Sequence, residues 1–268
     1  TGDHALPRND STLVIYSHVH GGAVDKLRAF ASSCPVRGAD AVRRIDTVNS
    51  AESVAWLTQA VVGEPRFSDL AESEIAALAM HEDASATGAL ARLSDATHPR
   101  KLREQALFWS GQLRGADGAR LAERVATGDA DPDLRAHAVF VLSQVQRDRA
   151  GGMDGYASIH RIAQNDASEH VREQALFWMA QTGDARAKND ILAALGRETS
   201  ERVREQAVFA LSQLKDHEAE GALIGVVRGN YPRKAKEQAL FWLGQSGSDR
   251  AVEFLDEVLT KGKPAHDT

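Results

Sequence analysis

The sequence lacks several features that mark specialised classes of protein. Only one of its 268 residues, Cys34, is a cysteine, so no intrachain disulfide can form and a disulfide-rich secreted module is disfavoured. Positive charge is also scarce, because 32 lysines and arginines face 38 acidic residues and leave a net charge of −6. Since nucleic-acid binders usually carry a basic surface, we expect no nucleic-acid partner.

Long apolar runs are missing as well. A membrane helix needs about 18 apolar residues, whereas the run at residues 13–19 is short and interrupted by Ser17 and His18. The sequence therefore predicts a soluble chain without a membrane span. Thr1 in place of Met fits a mature or trimmed chain, and an arbitrary cut in a longer sequence would begin in the same way. Cytoplasmic and exported (periplasmic) locations both stay open, as does the oligomeric state.

What the sequence contains in abundance is an internal repeat. Residues 171–178 read VREQALFW, and near copies stand at 102–109, 134–141, 203–210 and 235–242, in steps of 32, 37, 32 and 32 residues. This period, with helical spacing of apolar residues inside each copy, is typical of solenoids in which stacked helical pairs share a core. We predict six helical pairs beginning near Leu70, with a Gly-rich insertion at 148–156.

The N-terminal residues predict a different structure. Residues 13–20 are β-rich, Gly21-Gly22 is a turn signal, and residues 23–32 are apolar again, which indicates a β-hairpin. Residues 41–48 predict a third strand, and Asn49-Ser50 predicts the start of a helix. That helix would run through Val54, Trp56, Leu57 and Val61. The predicted fold is mostly α, with a small α+β cap at 1–62 and an α-solenoid at 63–268.

Candidate metal ligands and catalytic groups are few. His18 and His20 lie two residues apart on one strand and share a face, where two imidazoles could hold a metal with Cys34 as a third ligand. We interpret them instead as the polar face of a surface hairpin and expect neither a metal nor another cofactor. The sequence has no phosphate-binding glycine loop after a strand and no nucleophile motif, so we predict no catalytic residue.

The repeat unit resembles a known family. Its pattern, x-V-R-x-x-A-x-x-x-L-G-Q-x-G-D-x-R-A, is most complete at 171–187 and 235–251 and resembles bacterial HEAT-like repeats of the type also found in phycobilin lyases. The resemblance covers about residues 70–262 and implies an α-solenoid of HEAT-like helical hairpins. Such arrays serve as scaffolds and as enzymes, so the fold does not assign a function.

The resemblance also implies roles for individual residues. In similar units the basic residue at the second position pairs with acids at unit boundaries. The basic residues here are Arg103, Arg135, Arg172, Arg204 and Lys236, and the boundary acids include Asp131, Asp166 and Glu198. We expect a structural ladder of ion pairs, with an anion-binding stripe as the alternative.

Deoxyhypusine hydroxylases, a related family, bind two irons through His-Glu pairs at the starts of first helices. The aligned pairs here are Glu104-Gln105, Ala136-His137, Glu173-Gln174, Glu205-Gln206 and Glu237-Gln238, so the required pairs are absent. His81-Glu82 and His217-Glu218 stand out of phase, and we interpret them as exposed turns at helix ends. We expect no di-iron enzyme.

A phenylalanine occupies the seventh position of every full copy. The five are Phe108, Phe140, Phe177, Phe209 and Phe241, and the glutamines three residues before or four after them include Gln174, Gln181, Gln206 and Gln213. On a helical wheel Phe177 lies roughly 160–170° from the apolar face. We therefore expect the phenylalanines to point outward, while Trp109, Trp178 and Trp242 fill the seam between first and second helices.

A row of outward aromatic rings flanked by amides is typical of a binding surface. We therefore predict a non-enzymatic interaction scaffold or adaptor that binds a protein or peptide partner on this stripe. Burial of the rings by neighbouring first helices or by the hairpin is the structural alternative. A bilin-lyase-like or other small-ligand-handling enzyme is the functional one, and a HEAT-like DNA glycosylase conflicts with the acidic composition.

Overall fold

The computed structural model describes residues 13–34, 42–45, 47–63, 67–145, 151–215 and 218–261. The chain forms two compact units, residues 1–118 and 119–268. The division predicted at residues 62 and 63 stays a prediction. Elements of the first unit are β1 (Leu13–His20), β2 (Ala23–Ala31), α1 (Ser50–Gly63), α2 (Asp69–Ala79), α3 (Ala84–Leu93) and α4 (Arg100–Leu113). Helix α5 (Gly115–Gly128) begins in the first unit and ends in the second.

The remaining helices belong to the second unit. They are α6 (Pro132–Ser143), α7 (Gly155–Asn165), α8 (Glu169–Gln181), α9 (Ala187–Arg197), α10 (Glu201–Ser212), α11 (Glu218–Arg228), α12 (Arg233–Ser246) and α13 (Asp249–Lys261). Helices α2 to α13 are the twelve helices of the six predicted pairs, so the predicted helical repeat is confirmed. Within the described ranges, no helix has the length and apolarity to cross a lipid bilayer.

β1 and β2 form the predicted hairpin. They pair antiparallel with a register irregularity between His18 and Val19. Gly21 and Gly22 have φ of 59° and 85°, a region that favours glycine and suits a tight hairpin turn. Leu27 of β2 is buried in one core with residues of α1, α2, α3 and α4, and the hairpin therefore covers this end of the first unit.

The predicted third strand is wrong for the residues that the structure describes. Within the described ranges, residues 42–45 and 47–48 have no regular secondary structure, and β1 and β2 pair with each other and with no further strand. Val42, Ile45 and Val48 are exposed, so no burial of apolar surface offsets the entropy cost of ordering a strand there. Residues 41 and 46 lie outside the described part of the chain.

α1 begins where the sequence predicts. Asn49 Oδ1 accepts a hydrogen bond from the Glu52 backbone N–H at 2.9 Å, and the Asn49 N–H donates to Glu52 Oε2 at 3.0 Å. This reciprocal pair satisfies two backbone donors that a helix start leaves unpaired. Val54, Leu57 and Val61 are buried as expected, whereas Trp56 is exposed.

The second unit is a two-layer array. First helices α6, α8, α10 and α12 pack on one another in order, and second helices α7, α9, α11 and α13 do the same in the other layer. Each first helix also packs on the second helix that follows it. In α8 the core positions are Val171, Ala175 and Met179, which are fully buried and follow helical spacing.

The Gly-rich insertion lies between α6 and α7. Gly151 and Gly152 have φ of 62° and 84° and form a turn before α7, whereas residues 148–150 lie outside the described ranges. Gly155 begins α7 against the end of α6, where a Cβ would lie 2.8 Å from the Leu142 carbonyl oxygen. A glycine is needed for this close approach.

Candidate functional site

In the second unit, aromatic rings form a continuous row across the first helices. We call this row the aromatic ladder; in order along the array it consists of Phe140, Trp178, Phe177, Phe209, Trp242 and Phe241. Successive ring centroids lie 4.8, 5.0, 6.2, 5.2 and 5.1 Å apart. These distances lie within the usual range for aromatic pairs, so each ring helps to fix the position of the next.

The ladder alternates between two kinds of step. Trp178 and Trp242 reach back to the phenylalanine of the preceding first helix, with interplanar angles of 45° and 49°. α10 carries Ala210 where α8 and α12 carry tryptophan, and there Phe177 and Phe209 stack directly with an interplanar angle of 4°. The alternation of Trp178, Ala210 and Trp242 at this repeat position therefore produces the alternation of these two contacts.

Trp178 and Trp242 are half-buried, and their rings contact phenylalanines of adjacent first helices. Their predicted place in the seam between first and second helices stays a prediction. A helical wheel gives the direction of a side chain but not the position of the neighbouring helix. In the first unit, Trp109 is half-buried, packs against the core cluster and contacts Phe108 edge-on at 5.4 Å.

The predicted phenylalanines are partly accessible. Phe108, Phe140, Phe177 and Phe209 are half-buried, and Phe241 is 57% exposed. Rings of neighbouring first helices contact Phe140, Phe177 and Phe209, whereas Phe241 contacts Trp242 of its own helix. The outward direction and the partial burial predicted from the sequence therefore each describe one side of these phenylalanines. The result is a partly exposed apolar surface whose rings contact one another at every step.

Glutamines flank the ladder on both sides. Gln174, Gln181, Gln206 and Gln213 are half-buried. The amide of Gln213 donates to Ser212 Oγ at 3.1 Å. The side chains of Gln174, Gln181 and Gln206 make no hydrogen bond to another described residue, so their amides can donate to and accept from a ligand.

Ion pairs link the first helices near their N-terminal ends. Arg202 of α10 pairs with Glu173 of α8 at 2.6 Å, and Lys234 of α12 contacts Glu201 of α10. These charges neutralise one another across the helices.

The predicted ladder of ion pairs, here called the arginine ladder, is confirmed for Arg135 and Arg172. We call each position where an arginine meets the boundary residue of the next unit a rung. Arg135 donates from Nε and Nη2 to both carboxylate oxygens of Asp166 at 2.8 Å, and Arg172 donates to both oxygens of Glu198 at 2.9 and 3.2 Å. Nη1 of each arginine also donates to the backbone carbonyl six residues before it. Burial opposes ionisation of Asp166 and Glu198, but hydrogen bonds from the arginines and from backbone N–H groups outweigh it and lower both pKa values.

The other members of that series have different contacts. Arg103 is buried and donates from Nε to the Ser94 carbonyl at 3.0 Å. Arg204 donates from Nε to the Glu198 carbonyl at 2.7 Å. Asp131 caps α6 by accepting from the Asp133 N–H at 2.9 Å.

The histidines do not assemble a metal centre in the described part of the chain. His18 Nδ1 lies 2.5 Å from Asp25 Oδ1, and Cys34 is exposed. Across the described ranges, no group of three or more His, Cys, Asp or Glu side chains is arranged to hold a metal ion. His217 lies outside those ranges.

His81 is a further correction. It is half-buried rather than exposed, and its two ring nitrogens lie 2.9 Å from the Ala77 carbonyl and from Ser53 Oγ. The side chain therefore joins the end of α2 to α1. Sequence position alone did not predict this contact, because Ser53 is 28 residues away.

Comparison with known families finds repeats in the C-terminal part of the chain. Residues 156–240 match HEAT repeats, and residues 235–261 match the PBS lyase HEAT-like repeat. No curated protein sequence matches the chain. Among solved structures, human deoxyhypusine hydroxylase in complex with glycerol is similar at 13% identity over 80% of this chain and 92% of that one, with a TM-score of 0.33.

Proposed function

The chain is a HEAT-like repeat protein, and we propose that its second unit is a non-enzymatic scaffold that binds an extended protein or peptide segment along the aromatic ladder. The observation that carries this proposal is the continuity of the ladder over four first helices, with half-exposed rings in contact at every step. An aromatic surface of this kind supplies anchors that few other side chains match.

Packing between the rings lowers the cost of binding. Because Phe177 and Phe209 are held by each other and by Trp178 and Trp242, they lose little side-chain entropy when a partner covers them. Rigid, preordered aromatic groups are effective binding contacts for this reason.

The central step of the aromatic ladder, from Phe177 to Phe209, suits an extended backbone. Side chains on one face of an extended segment repeat at about 6.7 Å, and the Phe177 and Phe209 centroids are 6.2 Å apart. The free amides of Gln174, Gln181 and Gln206 lie beside these rings and can pair with backbone N–H and C=O groups of such a segment.

The test begins with a partner isolated on the wild-type chain from native extract and identified by mass spectrometry. Phe177→Ser/Phe209→Ser should weaken its binding at least about 30-fold, since loss of a central aromatic anchor costs about 2 kcal/mol or more. The matched control is Leu259→Ser, which removes an exposed apolar side chain of α13 outside the ladder and should leave binding unchanged.

Circular dichroism separates binding from folding. The double variant should stay helical with a lowered melting temperature, because both rings are half-buried. Phe241→Ser, at the exposed end of the ladder, should weaken binding with little change in melting. A folded double variant that holds the partner as tightly as wild type would contradict the proposal, and a bilin retained on incubation would favour the small-ligand alternative.

A further inference from the structure

At one rung of the arginine ladder the boundary residue is an asparagine instead of an acid. Asp166 and Glu198 stand six residues before the basic residue of their own units, and each binds the arginine of the preceding unit. The same position before Lys236 is Asn230, which has no charge. Arg204, the arginine of the preceding unit, therefore faces a rung without a carboxylate.

The conformation of Arg204 differs accordingly. Arg135 and Arg172 use Nη1 for the carbonyl of their own unit and keep Nε and Nη2 for the carboxylate. Arg204 uses Nε for that carbonyl instead. Among the described residues, its Nη1 and Nη2 have no hydrogen-bond partner and no acid lies within ion-pair distance, although a guanidinium has five N–H donors to satisfy.

A cavity of about 190 Å³ lies at this rung, between α10 and α12. Its lining includes Arg204, Arg233, Lys234 and Gln238. Gln238 Oε1 is buried, and no described group donates a hydrogen bond to it. The cavity thus places free guanidinium donors and an unsatisfied amide acceptor in one small space.

We propose that this cavity binds the carboxylate of an acidic peptide residue or peptide C-terminus, with Arg204 as the donor to the carboxylate and Gln238 as the acceptor for a neighbouring N–H. The rungs at Arg135 and Arg172 supply the precedent within the same array, because each binds one carboxylate through two parallel hydrogen bonds. The site does not require the aromatic ladder to bind a partner.

The surrounding charges favour a singly charged ligand. Glu201 and Glu205 also line the cavity, and Glu201 already contacts Lys234. Arg233 pairs with Glu237 at 2.6 Å. Of the three cations in the wall, Arg204 alone has no acid within ion-pair distance among the described residues, and its single charge matches that of one carboxylate.

The experiment uses N-acetylglycine, which carries a carboxylate and an adjacent N–H, as the probe of the full chain. Binding is followed by the ¹⁵N side-chain NMR signal of Arg204, assigned by its loss in Arg204→Lys. We expect saturable shifts with N-acetylglycine and none with the neutral N-acetylglycinamide. Glutamate placed within a short peptide and at its C-terminus then distinguishes the two sources of the carboxylate.

Asn230→Asp is the decisive variant, because it restores an acid to the rung. It should raise the melting temperature and weaken binding of N-acetylglycine at least 10-fold, since its own carboxylate occupies Arg204. Asn230→Ala leaves the rung empty and should bind as wild type does. The proposal is overturned if wild-type shifts do not saturate below about 50 mM or if Asn230→Asp binds as tightly as wild type.

Discussion

The arginine ladder allows one substitution to be compared at two rungs of the same array. Arg172→Gln removes a guanidinium that holds both oxygens of Glu198 and the Asp166 carbonyl. Arg204→Gln removes an equivalent guanidinium that has a single hydrogen bond, to the Glu198 carbonyl. Because the chemical change is the same at both positions, a difference in stability between the two variants measures the difference between the contacts of Arg172 and Arg204.

The expected magnitudes follow from burial and from the number of contacts. The side chains of Arg172 and Glu198 are only 15% and 12% exposed, so Arg172→Gln leaves a largely buried carboxylate without its cation. Such a loss costs about 3–5 kcal/mol when burial is complete. Backbone N–H groups of Thr199 and Ser200 still donate to Glu198, which reduces the expected loss to about 3 kcal/mol. Arg204→Gln should cost about 1 kcal/mol, the value of one ordinary hydrogen bond.

The assay is urea unfolding followed by far-UV circular dichroism, with tryptophan fluorescence as a second probe of two-state behaviour. A double-mutant cycle with Glu198→Gln measures the pair itself, because the carboxylate is no longer stranded in the double variant. The combined loss should be clearly smaller than the sum of the two single losses. Equal losses for Arg172→Gln and Arg204→Gln, or an additive cycle, would refute the reasoning.

Three further predictions concern helix contacts, the hairpin and pH. Gly118→Ala should destabilise the chain by at least about 2 kcal/mol, because its Cβ would lie 1.9 Å from the Ser110 carbonyl oxygen. As the control, Gly225→Ala, in an open part of α11, should stabilise the chain by about 1 kcal/mol in the same urea assay. Leu27→Ala should cost about 2–5 kcal/mol by opening a cavity under the hairpin, and hydrogen exchange should locate the loss in the first unit; unchanged protection there would exclude a capping role for the hairpin. The pKa values of Asp166 and Glu198 are lowered in the folded chain, so their contribution to stability should be fully present above their ordinary pKa values of 3.8 and 4.5. It should be lost as pH falls through the lowered pKa values. A urea midpoint that stays unchanged from about pH 5 to 2 would contradict this.

Features that depend on one residue position within the repeat were predictable from sequence. Arg135, Arg172 and their acids recur at a fixed register, so the rungs follow once the units are known to stack. The hairpin turn at Gly21 and Gly22 and the start of α1 at Asn49 also depend on local chemistry alone. Each of these predictions needs only a few neighbouring residues or one repeat step.

Features that depend on the exact position of a neighbouring element were not predictable in this way. Residues 42–48 have the composition of a strand, but a strand also needs a free edge and a face to bury, which composition does not supply. Trp178 has the angle of a core residue on a helical wheel, yet the adjacent first helix offers Phe140 as a contact at 4.8 Å. Asn230 stands in the sequence as a plain break in the acidic series, and its meaning emerged only from the pairing of each arginine with the following boundary.

The positions of the rungs and of the aromatic ladder on each first helix make stability and binding separable. Arg172 and Phe177 are five residues apart, which places them about 140° from each other around α8. The arginine consequently turns toward the boundary of the next unit, whereas the phenylalanine lies on the partly exposed side. Substitutions at the rungs should therefore change the free energy of unfolding with little direct effect on the ladder surface. Substitutions of the rings of the aromatic ladder should change partner binding more than stability. Arg204 should behave in the same way, because its rung has no acid for the guanidinium to bind.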